Sequence, residues 1–137
     1  MAYWIFKSEP GAYSWDDLVR DGATGWDGVR NAQAANNMKA MQVGDRGFFY
    51  HSVDERAIVG LVEVIEPWQP DPTDASGRWG MVRVRPLVPA RTPVTLAAIK
   101  ADPAFADLPL VRQSRLSVSP VPEPAWVRLC RMAGVTP

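Results

Sequence analysis

The chain contains one cysteine, Cys130, and one histidine, His51, in 137 residues. A lone cysteine excludes an internal disulfide and any zinc site built on cysteines. A lone histidine leaves no second imidazole for a metal centre. No metal or organic cofactor is implied. Apolar runs are a few residues long, far short of the about 20 needed to cross a bilayer. The opening Met-Ala-Tyr-Trp-Ile-Phe-Lys has no basic region ahead of an apolar stretch, so it reads as a first strand rather than a leader. These absences point to a reducing, cytoplasmic setting without membrane contact. Repeats, low-complexity tracts and linkers are also missing, so residues 1–137 read as a single domain. A hydrophobic content of 47% is enough to give it a core.

Net charge is zero, with 15 basic and 15 acidic residues, but the charges are not evenly spread. Residues 1–77 carry 6 Lys/Arg against 12 Asp/Glu, and residues 78–137 carry 9 against 3. Such asymmetry is a hint of nucleic-acid contact. It fades if the two halves interleave in one sheet.

Alternation and turn residues predict an α+β fold, with a strongly curved sheet or small barrel and helices around it. Tyr3–Lys7 reads as a strand with Trp4 and Phe6 on one face. Ser14 with Asp17 forms a capping-box pattern opening a short helix. Ala32, Ala35, Met38 and Met41 are spaced to face a core from a second helix that starts at Asn31 or Ala32. Strands follow over Arg46–His51, Ala57–Ile65 and Trp79–Val88. Residues Pro67–Gly77 form the longest irregular stretch. Thr95 caps a short helix, Arg115–Val118 reads as a strand, and Pro124 and Gly134 bracket a last helix.

The second helix and the loop before it carry the most information. Trp26 sits in a turn-rich segment outside any periodic pattern, which predicts an exposed ring that can be truncated without loss of the fold. Arg30, Asn31, Gln33, Asn36 and Asn37 follow, where an ordinary surface helix carries Glu and Lys. Guanidinium and amide groups make paired hydrogen bonds to the edge of a flat heterocycle. This is a binding vocabulary more than a catalytic one.

Each candidate has a plainer alternative. Trp26 is either a stacking platform or a core anchor. Asn31 either contacts a ligand or caps its helix. Lys7 and Ser8 end a strand, where a pocket mouth or simple solvation serves equally. His51 with Ser52, Ser8 and Glu9 has the residue types of a hydrolytic set, whereas a lone histidine at a strand end is more often structural. Arg112, Arg115 and Ser117 suit phosphate contact, or form a solvated basic edge. Arg83 and Arg85 read as the outward face of a strand.

Several segments in order along the whole chain resemble the EVE domain family. They include Lys7-Ser8-Glu9-Pro10, Tyr13-Ser14-Trp15-Asp16-Asp17-Leu18 and the run from Trp26 through Gly28-Val29-Arg30-Asn31 to Asn36-Asn37. Phe48-Phe49-Tyr50-His51-Ser52, Asp71-Pro72-Thr73 and Leu110-Val111-Arg112 with Ser114-Arg115-Leu116-Ser117-Val118 continue the pattern. Ala32 departs from it, standing where the family usually carries an aromatic. The resemblance implies a PUA-like small β-barrel with peripheral helices, and kinship with YTH domains, which read N6-methyladenine in RNA. It implies a non-catalytic reader of a modified or flipped base, with modified cytosine in DNA ahead of RNA. In that reading Ser8, Trp26, Asn31, His51 and Ser52 hold the base. Lys7, Arg30, Arg112, Arg115 and Ser117 hold phosphates, and Asp71 and Thr73 close a loop over the opening. The expected state is a monomer. The competing expectation is a small PUA-like hydrolase or nuclease using His51 with Ser8 or Glu9; a protein-interaction or small-nucleotide module is a third.

Overall fold

The computed structural model describes residues 1–137. Six strands form one mixed sheet in the order β2-β5-β4-β3-β1-β6, and its ladder does not close. The strands are β1 (Tyr3–Ser8), β2 (Thr24–Gly25), β3 (Arg46–His51), β4 (Ala57–Pro70), β5 (Gly80–Thr95) and β6 (Val118–Val121). Five α-helices pack on them: α1 (Trp15–Asp21), α2 (Ala32–Lys39), α3 (Leu96–Ala101), α4 (Pro109–Arg112) and α5 (Glu123–Ala133). Only β1 and β3 run parallel; every other neighbour is antiparallel.

Alternation along the central strands feeds two cores, one on each face of the sheet. Trp4, Phe6, Phe49, Val62 and Val64 point to one face, beneath α1, α2 and the Trp26 loop. Ile5, Phe48, Tyr50, Ile58 and Leu61 point to the other, where α3, α4 and α5 cover them. There Trp126 is fully buried and stacks 4.5 Å from Tyr3 and 4.2 Å from Phe48. With β1 covered on both faces, its residues Tyr3–Phe6 are apolar in succession rather than alternating in polarity, and polar residues return only at its end with Lys7 and Ser8.

Helix starts follow local chemistry. Ser14 Oγ accepts from the Asp17 N–H while Asp17 accepts from the Ser14 N–H, completing the capping box on α1. Asn31 Oδ1 accepts from Ala34 N–H at 2.9 Å and opens α2. The buried face of α2 is Ala34, Ala35 and Met38, with Met41 just beyond; Ala32, expected to face the core, is exposed instead. Asn37 Nδ2 donates to Val118 O at 2.8 Å and ties α2 to β6.

Three strand expectations need correction. β4 runs on through Pro67 to Pro70, pairing Gln69 with Met81 and Pro70 with Gly80 across repeated register shifts. The irregular loop is therefore shorter, between Pro70 and Gly80. β5 continues past Val88 through Pro89 and Pro93 to Thr95. Beyond Arg83 and Val84 its second edge has no β2 partner, and its ladder with β4 shifts register beside Pro86 and Pro89, the edge and bulge positions where a strand tolerates proline. Arg115–Ser117 lies outside β6: Leu116 N–H donates to Gln113 O in a turn after α4, and pairing begins at Val118.

Interleaving also disperses the charge asymmetry. Arg83 pairs with Glu66 at 3.1 Å and Arg85 with Glu63 at 2.9 Å, basic half against acidic half.

Candidate nucleic-acid interface

At the C-terminal end of β1 the chain opens a cleft of about 600 Å³ beside the Trp26 loop. Lys7, Ser8, Trp26, Arg30 and Ser117 all line it, so five of the predicted residues meet in one place. Pairing explains the convergence. Lys7 N–H donates to Ser117 O at 2.9 Å, setting the two side by side, and Trp26 N–H donates to Val82 O at 2.8 Å, anchoring the loop on β5.

Trp26 differs from the expectation of an exposed ring. It is only 8% exposed and belongs to the core beneath α1 and α2. Its ring meets Phe6 edge-on at 5.1 Å and Phe49 at 5.6 Å. The residue is at once a core anchor and a wall of the cleft. Two glycines shape its loop. A Cβ on Gly25 would lie 2.6 Å from Met81 Sδ, so any side chain there would have to displace the end of Met81. Gly28 adopts φ +76°, the left-handed turn that leads into Val29 and Arg30.

Asp71 holds that turn from behind. Its carboxylate accepts from Gly28 N–H at 2.8 Å, from Arg30 Nη1 at 2.9 Å, and from the Thr73 hydroxyl and N–H at 2.6 and 2.7 Å. Arg30 Nη2 donates to Thr73 Oγ1 at 3.1 Å. Burial alone would raise the Asp71 carboxyl, but the bonds from Thr73, Arg30 and Gly28 outweigh it and hold the group well below the ordinary carboxylate range. Neither Asp71 nor Thr73 lines the cleft. They are a brace for its wall, in place of the loop expected to close over the opening.

The remaining predicted residues lie elsewhere. Asn31, Arg112 and Arg115 line a neighbouring cavity of about 320 Å³ with Gln33 and Ser114. Ser52 lines another, of about 430 Å³, which Lys7 also borders. His51 lines none of the three. Its Nε2 accepts from Trp15 N–H at 3.0 Å, and its Nδ1 lies 3.6 Å from Glu55. Ser8 Oγ donates to Tyr13 O at 2.6 Å, so no hydrogen bond links Ser8 to His51. Glu9 does line the cleft, on its rim. Ala32, exposed at the start of α2, lines none of these cavities.

Tyr13, Thr24 and Asp27 complete the cleft and were missed by sequence reasoning. Thr24 belongs to a two-residue strand too short to leave a pattern, and Tyr13 enters through its neighbour's helix cap. Lys7 is half-buried between two cavities; burial lowers its pKa, and Nζ donates to Ser114 O at 3.0 Å. Asn31, expected either to cap or to bind, does cap.

The EVE domain model matches residues 2–132. The chain belongs to the EVE domain family. Among curated relatives, chicken thymocyte nuclear protein 1 is 33% identical over 87% of this chain. The chain spans 63% of that protein's length and 68% of the human one. A solved protein of Rhodopseudomonas palustris superposes with a TM-score of 0.92 at 49% identity, covering 98% of this chain and 94% of its own. Human THYN1, solved in complex with 5-methylcytosine-containing DNA, matches over 100% of both chains with a TM-score of 0.89 and 29% identity. A yeast YTH domain from Zygosaccharomyces rouxii, solved with N6-methyladenosine RNA, shares the fold at a TM-score of 0.63 and 17% identity, over 96% of this chain and 86% of its own. These matches bear out the EVE and YTH-related α+β fold, with the difference that the sheet stays open.

Proposed function

We propose that this EVE domain binds nucleic acid and reads a modified base, with modified cytosine in DNA as the leading candidate, without altering it. The observation that carries the reading is the cleft itself. It combines an aromatic wall, the Ser8 hydroxyl and the Gly25–Gly28 backbone with cations Lys7 and Arg30 at its edges. A flipped base needs stacking, a few convergent polar groups and nearby positive charge for its phosphates. The full-length likeness to human THYN1, solved with 5-methylcytosine DNA, supports the same ligand class. Asn31, Arg112 and Arg115 in the adjoining cavity extend the polar surface along which a strand would run.

The hydrolase reading finds less support. A nucleophile and its base belong within hydrogen-bond reach, and both Ser8 and His51 are bonded to backbone groups instead. The test is anisotropy titration of matched duplexes carrying cytosine, 5-methylcytosine or other modified bases, at two salt concentrations. A preference for one modified base that persists at both salts is expected. Equal binding of all duplexes with a steep salt slope would reduce the domain to a backbone binder.

A further inference from the structure

The cavity on the far side of Lys7 has a distinct chemistry. Lys7, Arg56 and Lys100 line it with the hydroxyl residues Ser52, Tyr50 and Ser114, and no carboxylate lines it. Six arginines of the chain pair with acids, but none of these three cations does. The carboxylates nearest in sequence, Asp54 and Glu55, line an adjoining depression that shares Arg56 and Lys100 with this one, and neither forms an ion pair with them. Arg56 spends only Nε on the fold, donating to Val53 O at 3.1 Å. Lys7 is held in place by the Ser114 carbonyl.

The wall of this cavity is also where the backbone departs from its ordinary range. Val53 at φ +75° and Arg56 at φ +45° are the only residues other than glycine with positive φ. A β-branched residue in that region is a genuine outlier, and such strain gathers at ligand sites. Leu96, Leu110 and Val111 add apolar lining to the cavity.

We propose that this cavity is a phosphate-binding site, filled by a phosphate of the bound strand next to the base in the Trp26 cleft, with Lys7 shared between the two. The phosphate site stands on its own cations and hydroxyls; its occupation by the strand rests on the base-reading function. Arg56 and Lys100 thereby become strand-holding residues that pairing and periodicity did not mark.

The experiment uses the whole chain, labelled with ¹⁵N, and the double variant Arg56→Gln/Lys100→Gln. Both positions are exposed, so the variant is expected to fold, which its amide dispersion checks. Orthophosphate should shift the amides of Ser52, Arg56, Lys100 and Ser114 in the wild type and not in the variant. Wild-type amides that stay still would overturn the phosphate site. A 5-methyldeoxycytidine titration should move the Trp26 loop alone; silence there would count against the base-reading function and leave the phosphate result intact. In a third arm, one methylphosphonate replaces each phosphate flanking the modified base in turn. At one position wild-type affinity should fall several-fold while the variant is indifferent. Equal losses in both proteins at every position would place the strand elsewhere and leave a free phosphate ester, tested with deoxycytidine monophosphate, as the ligand. The variant's salt slope should also be shallower by about one to two ions.

Discussion

Arg30 and Asp71 form an ion pair of 2.9 Å across 41 residues of sequence, in which the carboxylate is wholly buried and the guanidinium is 38% exposed. The buried end also holds Gly28, so one side chain fixes the turn that shapes the cleft. Replacing Asp71 with Ala removes the shared acceptor of Gly28, Arg30 and Thr73, but all three are exposed and water can replace it in part, so the loss should be about 2 kcal/mol. Chemical denaturation of the two proteins measures it, and a loss under about 1 kcal/mol would show that the brace is dispensable.

The same carboxylate gives a pH dependence with a defined sign. Its folded pKa lies below the ordinary value of 3.8, so its contribution is complete above that value. Stability is lost as pH falls through 3.8 towards the lower folded value. The stability gap between wild type and Asp71→Asn should therefore be constant from pH 7 to about 5 and narrow below 4. A gap that widens on acidification would refute the assignment.

Trp26→Ala should lower stability by about 3–5 kcal/mol, because it empties a site packed by Phe6 and Phe49. Trp26→Phe keeps an aromatic core and isolates the binding role. Stacking on a base is worth about 1–3 kcal/mol, so the Phe variant should stay folded yet bind a modified strand about tenfold more weakly. Unchanged affinity in the folded Phe variant would leave Trp26 with its packing role alone.

Arg115 is exposed in the turn after α4 and pairs with no acid. Arg115→Ala should weaken modified and unmodified strands alike and flatten the salt slope by about one ion. Lost discrimination at an unchanged slope would make it a base reader.

His51→Asn removes the acceptor of Trp15 N–H at the start of α1 and should cost about 1 kcal/mol of stability. A catalytic histidine would instead contribute about 10²–10⁴-fold in rate. Prolonged incubation of the wild type with modified strands, nucleotides and acylated nucleosides, followed by mass spectrometry, should return every substrate intact. Turnover that disappears in His51→Asn would restore the hydrolase reading.

Local signals were legible where one short segment contains both partners. Ser14 with Asp17, Asn31 at the start of α2 and Gly134 after α5 all cap as their spacing predicts. The convergence of Lys7, Ser8, Trp26, Arg30 and Ser117 was legible through the family resemblance rather than through periodicity. What stayed hidden depends on distant partners. Trp26 sits in a loop with no period, so nothing local records that Phe6 and Phe49 enclose it. The role of Asp71 requires Gly28, 43 residues away. The extension of β4 and β5 through their prolines is hidden too, because a sequence does not show which strand edge lacks a neighbour.

The position of β1 has a consequence for how the protein is made. The strand that carries Lys7 is wedged between β3 and β6, and Lys7 reaches Ser114 across 107 residues. At about 5–20 residues per second, a ribosome needs roughly 5–20 s to supply that partner. Until then β1 has an open edge of unpaired amides and carbonyls, flanked by Trp4, Ile5 and Phe6, the kind of edge that recruits other chains. Contacts of such long sequence separation also form slowly. The cleft is therefore among the last features a nascent chain acquires, and its first strand spends that interval most exposed to aggregation.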